Sequence, residues 1–232
     1  IVANGVLNAP DYTRTCNCSY QNQSSLALVH DPDVEMWVTY FGERGDGPLQ
    51  EVGINLGAPG NRRAEDGRFW IGHPLLPYVR NPEKESGIGV DVEVTFDDGE
   101  FYTHHSSRIT NDRELGWVTA SGCRGISRLE LDLGTQERVR CRVRLHFAEP
   151  DRIEPGHRVF DVAIEGEARL RGVDVVAEAE GRNRSTSRTL EEVEVVDSRL
   201  TLEFSPARAG AAGSDAMPLL CGLEVTVTSR GD

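Results

Sequence analysis

Residues 145–164, LHFAEPDRIEPGHRVFDVAI, decide the fold. An apolar run, Leu145-His146-Phe147-Ala148, ends in a polar, proline-bearing loop, and a second run opens at Arg158-Val159-Phe160-Asp161-Val162. Just upstream, Val139, Cys141, Val143, Leu145 and Phe147 alternate with Arg140, Arg142, Arg144 and His146. A period of two sends successive side chains to opposite faces of a strand. The odd-numbered row is therefore expected inside, with the arginines and His146 outside.

The same grammar extends in both directions. Leu49–Leu56 and Arg68–Ile71 are short apolar bursts separated by turn residues. Val90, Val92, Val94 and Phe96 alternate with polar partners. Asp97-Asp98-Gly99 then reads as a hairpin turn, because Asp-Gly accepts positive φ, with residues 100–105 returning. Residues 126–133 form another expected strand. Glu165-Gly166-Glu167 is expected as a tight turn after residues 158–164. Residues 190–196 and 200–204 read as a hairpin around Asp197-Ser198, and residues 219–227 close the domain. The helical candidate, residues 175–180, is too short to change the class. Many short strands with frequent turns predict an all-β, two-sheet β-sandwich of jelly-roll-like arrangement.

Residues 1–41 differ in character, being rich in Asn, Ser, Thr and Cys, and read as an N-terminal extension. Gly42–Pro48, GERGDGP, is the expected boundary, and the sandwich is expected over residues 49–230. The net charge of −13 over 232 residues argues against nucleic acid, whose phosphates call for clustered Lys and Arg. No apolar run approaches the roughly 20 residues that span a bilayer, so no membrane insertion is expected. A start at Ile1 suggests a mature or excised fragment. Of the five cysteines, Cys16 and Cys18 lack zinc-site spacing and are expected to bond to other cysteines rather than to each other, which implies an exported protein. Cys123, Cys141 and Cys221 sit in strand contexts and are expected to be small buried residues.

The motifs Phe147-Ala148-Glu149 and Val159-Phe160-Asp161-Val162, in this order, resemble the malectin and malectin-like family of β-sandwich carbohydrate-binding domains. The likeness runs from about residue 52 to 228. It takes in Gly53-Ile54-Asn55-Leu56-Gly57, Asp66-Gly67 before Phe69-Trp70, Gly166, Asp174-Val175, Leu202-Glu203-Phe204 and the closing Pro218–Val225. It implies a galactose-binding-like sandwich and a binding module rather than a catalyst. Residues 1–38 resemble the closing portion of a bacterial quinoprotein-like β-propeller, which implies an upstream propeller as an intramolecular partner. The family's sugar contacts do not carry over whole. Its loop aromatics after FAE are replaced here by Pro150-Asp151, and Ser106-Ser107-Arg108-Ile109 stands where it has another tyrosine. Only Asp215 has a counterpart among the family's ligand acids.

A sugar site needs an aromatic face and a few polar groups to orient the hydroxyls. Tyr78, Arg108 and Asp215 are the preferred set, with Trp70 and Trp117 as further aromatics; core packing is the competing role for Trp117. Asn111 and Asp112 lie near Arg108. His104-His105 cannot chelate one ion from a regular strand, because neighbours face opposite ways. Asp97-Asp98 and Glu191-Glu192 read as turn and edge acids, and no pair of facing catalytic carboxylates or nucleophile elbow is legible. No cofactor is expected; Asp66, Asp174 and Glu178 are the carboxylates a structural Ca2+ would use, without an EF-hand pattern to support it. The expected function is a noncatalytic, carbohydrate-binding-like or interaction module of a larger exported protein, with oligosaccharide or glycan as ligand. The alternatives are an architectural domain packed on an upstream propeller, or a fragment of a quinone-linked oxidoreductase.

Overall fold

The computed structural model describes residues 2–3, 6–13, 22–28, 34–38, 49–74, 90–208 and 216–231. The chain divides into two compact units, Ile1–Glu35 and Met36–Asp232. The first is a three-stranded antiparallel sheet of β1 (Val2–Ala3), β2 (Val6–Thr13) and β3 (Asn22–Leu28). The pairing of β2 with β3 runs from Leu7 opposite Leu28 to Thr13 opposite Asn22. Strands of this length were not expected from the weak apolar alternation. Their main-chain pairing does not require a hydrophobic period.

The second unit begins with β4 (Glu51–Leu56), β5 (Arg62–Arg63), β6 (Phe69–His73), β7 (Val92–Thr103), α1 (Gly116–Thr119) and β8 (Ser121–Asp132). It continues with β9 (Val139–Ala148), β10 (Phe160–Ile164), β11 (Glu167–Val173), α2 (Val175–Glu178) and β12 (Ser185–Val195). β13 (Arg199–Pro206), β14 (Leu219–Leu220) and β15 (Gly222–Arg230) complete it. One sheet has the order β11-β10-β13-β8-β14, with β7 also on β8; the other has the order β12-β9-β15-β4-β6-β5. Only β4 and β6 pair in parallel among the described strands. The two sheets form the expected jelly-roll-like sandwich.

The core lies between them. Val139, Cys141, Val143, Leu145 and Phe147 are buried, while Arg140, Arg142 and Arg144 are exposed. From the other sheet come Leu129 and Leu131 of β8, Phe160 and Val162 of β10, and Leu200 and Leu202 of β13. Each such side chain contributes about 1.5–3 kcal/mol on burial. The three cysteines of this unit are free, buried thiols, as expected. Burial pushes all three up, Cys141 to about 11 and Cys221 to about 12, so they act as packing residues.

The structure corrects three local expectations. Asp97-Asp98-Gly99 is not a hairpin turn: β7 runs through it and stays paired with β8, with register shifts between Thr95 and Glu100. Gly99 faces the β8 main chain so closely that a Cβ there would lie 1.9 Å from the Arg124 carbonyl oxygen. Asp-Gly supports a bulge as well as a turn, and only the partner strand tells them apart. Second, β12 and β13 do not form a hairpin. β12 pairs with β9 in one sheet and β13 with β8 and β10 in the other, so Asp197-Ser198 carries the chain between sheets, with Ser198 at φ 68°. By contrast, β10 and β11 do form the expected hairpin through Glu165 and Gly166, both at positive φ.

The third correction concerns His146, which points away from the core as its period requires yet is only 2% exposed. The outer face of its sheet is roofed locally by Trp70, Trp117 and Val118. Gly53, opposite Trp70 in the register, makes room for that ring; a Cβ on Gly53 would sit 2.2 Å from Trp70 Cδ2. The His146 and Trp70 rings meet edge to face at 5.5 Å. His146 Nε2 lies 2.6 Å from Glu224 Oε1, and Glu224 also pairs with Arg68. Burial, then the Arg144 and Arg68 charges, hold the imidazole down at about 3. His146 is therefore neutral and donates its Nε2 hydrogen to a carboxylate already balanced by arginine. The unfolded chain takes up this proton near pH 6.5, whereas the folded chain resists until about pH 3. Stability should fall as pH drops through that window, by about 2 kcal/mol between pH 6.5 and 5 from this group. Urea titrations of wild type and His146→Gln at several pH values check this: the variant should lose that part of the slope, and parallel profiles would refute the assignment.

Candidate functional site

One end of the sandwich gathers the loop after β7, the turn into α1, the end of β9 and the loop before β12. A shallow depression of about 10 Å3 there, room for about one water, is lined by His104, Arg108, Ile109, Pro150 and Asn183. Residues 106–108 form a 3-10 turn, capped when the Ser107 N–H donates to His105 Nδ1 at 3.2 Å. The next residues are clamped to β12. Asn111 donates from Nδ2 to the Ser185 carbonyl at 2.9 Å and accepts from the Ser185 N–H at 2.8 Å. Asp112 Oδ1 accepts from the N–H groups of Glu114 and Leu115 at 3.0 and 2.9 Å. The Asn183 N–H donates to the Glu149 carbonyl at 2.9 Å, tying the loop before β12 to the end of β9. Asn111 and Asp112 thus hold the loops in place rather than facing a ligand.

Behind this depression lies a chain of ions, buried at Arg158 and Glu149 and opening to solvent at Glu100. Arg158, 2% exposed, donates from one Nη to both oxygens of Glu149 at 3.0 Å and from the other to Asp151 at 3.0 Å. Arg124 bridges Asp151 at 2.9 Å and Glu100 at 2.7 Å. Burial pushes the Glu149 carboxyl up to about 7, while Arg158 pulls it the other way. These contacts explain the Pro150-Asp151 pair after FAE: here the loop is stiffened by ion pairs, which use the Asp151 carboxylate as a bridge.

Arg108 differs from its neighbours. It is exposed, and its guanidinium has no hydrogen bond or ion pair among the described residues. His104 is half-buried beside it, and His105 is exposed. Burial, then the nearby Arg108 and Arg124 charges, lower His104, so the imidazole is neutral near pH 7 and able to donate or accept.

The remaining sequence-predicted residues fall elsewhere. Trp70 and Trp117 are 1% and 5% exposed. They pack edge to face at 5.6 Å in the outer cluster over Gly53, with Arg62 stacked 4.7 Å from the Trp117 ring centre. Trp117 Nε1 donates to the Glu114 carbonyl at 2.7 Å. Neither ring is open to a sugar: this corrects the ligand expectation for Trp70 and bears out the core-packing role of Trp117, with Gly53 leaving a slot that Trp70 fills and α1 folding Trp117 over it. Tyr78 and Asp215 lie outside the described residues, as do Cys16, Cys18 and the Gly42–Pro48 break. Among the described residues no cluster of three or more metal-binding side chains occurs. Of the carboxylates considered for Ca2+, Asp174 caps α2 by accepting from the Ala177 N–H at 3.1 Å, and Glu178 pairs with Arg188 at 2.8 Å.

Known folds place this geometry in context. A comparison with curated protein sequences gave no match. A β-glucuronidase from Bacteroides uniformis aligns over 98% of this chain and 23% of its own, at 13% identity and TM-score 0.56. The ANXUR1 extracellular domain from Arabidopsis thaliana covers 89% of this chain and 57% of its own, at 13% identity and TM-score 0.53. The ANX2 ectodomain from the same plant covers 78% and 50%, at 15% identity and TM-score 0.51. The chain thus spans about a quarter to just over half the length of these structures, and the likeness is one of fold. Residues 131–218, from the end of β8 to just before β14 and including the FAE loop with the buried Arg158–Glu149 pair, match the family model described as Malectin domain.

Proposed function

We propose that the sandwich is a noncatalytic binding module of a larger exported protein, and that it takes a saccharide at the loop end around Arg108. The observation that carries this reading is the exposed Arg108 guanidinium, without a hydrogen bond or ion pair among the described residues, on loops otherwise held by hydrogen bonds, beside the stretch that matches the Malectin domain. A preorganised rim with one uncommitted donor fork suits hydroxyl recognition. On the sequence reading, Asp215 joins this site through the family resemblance and Tyr78 as an aromatic between prolines; both lie outside the described residues. Chemistry on a glycosidic bond would need two facing carboxylates about 5–10 Å apart. The acids beside this rim are committed instead: Glu149 and Asp151 to arginines, Asp112 to main-chain N–H groups. That supports binding without turnover. Among the described residues no helix is long and apolar enough to cross a membrane, which is compatible with export.

Isothermal titration with a panel of neutral gluco-, galacto- and manno-oligosaccharides tests the reading. At least one should bind, and Arg108→Ala should weaken it tenfold or more, a loss of about 1.4 kcal/mol, with an unchanged unfolding midpoint. Silence across the panel, or full binding by the variant, would overturn it. A second, architectural reading has the sandwich packing on an upstream domain, with Ile1–Glu35 as the closing strands of a propeller. A similar fold occupies 23% of a much longer chain, as a module joined to further domains would.

A further inference from the structure

The outer face of the second sheet carries a groove of about 320 Å3, which shares no lining residue with the loop-end site. The register builds it. Thr189 of β12 lies opposite Arg144 of β9, and Arg144 opposite Glu224 of β15; in the adjacent row Arg142 lies opposite Thr226. Glu191 and Arg68 complete the lining. Alternation alone exposes arginines on such a face, and most exposed arginines are simply solvated. These are distinguished by what they leave unused.

A guanidinium offers five donors. Arg142 spends only Nε, on both oxygens of Glu191 at 2.8 and 2.9 Å, so its two terminal nitrogens have no partner among the described residues. Arg144 spends Nε and one terminal nitrogen on Ser187 Oγ at 3.2 and 3.1 Å, while the other stands 3.8 Å from Glu224. Arg68 pairs with Glu224, yet its Nε is buried without a hydrogen-bond partner. The Thr189 and Thr226 hydroxyls likewise make no hydrogen bond with a described residue. The lining holds three arginines and two glutamates, and Glu51 stands 3.7 Å from Arg68, so the positive character of the groove rests on the uncommitted ends of Arg142 and Arg144. The groove is hydroxyl-bearing and, among the described residues, without an aromatic wall.

We infer that this sheet-face groove is a second ligand site, taking a saccharide that carries a carboxylate. Planar arginine forks match a carboxylate, and the threonine hydroxyls reach ring hydroxyls on either side. Glu224 is too deeply held, by His146 and Arg68, to turn outward and cancel the field. Without a ring to stack on, affinity comes from charge, and it should decline as salt rises.

Cellobiouronic acid and cellobiose are the matched probes, differing at one carboxylate, with sodium acetate as the bare anion. By calorimetry at low salt the uronic disaccharide should bind at least tenfold more tightly than cellobiose and than acetate. The double variant Arg142→Gln/Arg144→Gln should lose that preference, and both side chains are about half exposed, at 54% and 44%, so folding is retained. Arg108→Ala should leave it intact, which separates this site from the loop-end reading. Equal binding of the acidic and neutral disaccharides would overturn the inference. So would acetate binding as tightly as the disaccharide, a preference that survives the double variant, or no binding of the acid at all.

Discussion

Arg158→Ala is expected to lower folding stability by about 3–5 kcal/mol, the usual cost of removing one partner from a buried ion pair. The guanidinium is almost wholly enclosed and serves two acids at once. Glu149, 0% exposed, accepts from it through both oxygens. Truncation leaves that carboxylate with one main-chain donor, the Asp151 N–H at 2.9 Å. The group must then stay charged in an apolar setting or take up a proton. Because burial already raises Glu149, the variant should be least impaired in acid and worst above neutrality. Adding Glu149→Gln to Arg158→Ala should recover part of the loss by removing the stranded charge. Urea denaturation at two pH values measures all of this. A loss below 1 kcal/mol, or no rescue by the second change, would show that the ion chain does not hold the FAE loop.

Phe147→Ala should cost a similar amount, about 3–5 kcal/mol, for a different reason. The ring is 0% exposed and packs against Phe160, centre to centre 5.9 Å, across the sandwich. Its removal leaves a hole between two strands from different sheets, β9 and β10, where main-chain pairing limits collapse. Phe147→Leu should cost much less, since most of the volume returns. The midpoint in urea should shift while the slope stays constant. If alanine and leucine behaved alike, the ring would not lie in the interior.

Both predictions come from the stretch whose meaning was plainest in the sequence. The odd-numbered row of β9 had to be inside once the strand was granted, because period two leaves no other choice. The same logic assigned the arginines and His146 to the outer face, but it did not foresee that His146 is covered there. Alternation assigns a side chain to a face, but it says nothing about what covers that face. Trp70 and Trp117 cover it, and they come from β6 and α1, remote in sequence and brought together by Gly53 and the turn before β8. Hence two aromatics that looked like sugar platforms are roof, and a histidine that looked solvated is buried beneath them.

Arg108 was legible as a candidate because its neighbours are turn residues and the family resemblance points there. The sheet-face groove was not. Arg142, Arg144, Glu224 and Arg68 are ordinary surface charges along the chain, and no motif joins them. Their convergence depends on antiparallel register between β9, β12 and β15, which is set by packing of the opposite, apolar faces. The amino-acid sequence by itself determined the class, the core row and the order of the strands, since these follow from local periodicity and turn chemistry. Only the tertiary structure decided which strands share a sheet, where Asp-Gly bends a strand instead of reversing it, and which arginines stand together. Those are questions of partners distant along the chain, and local physics is silent on them.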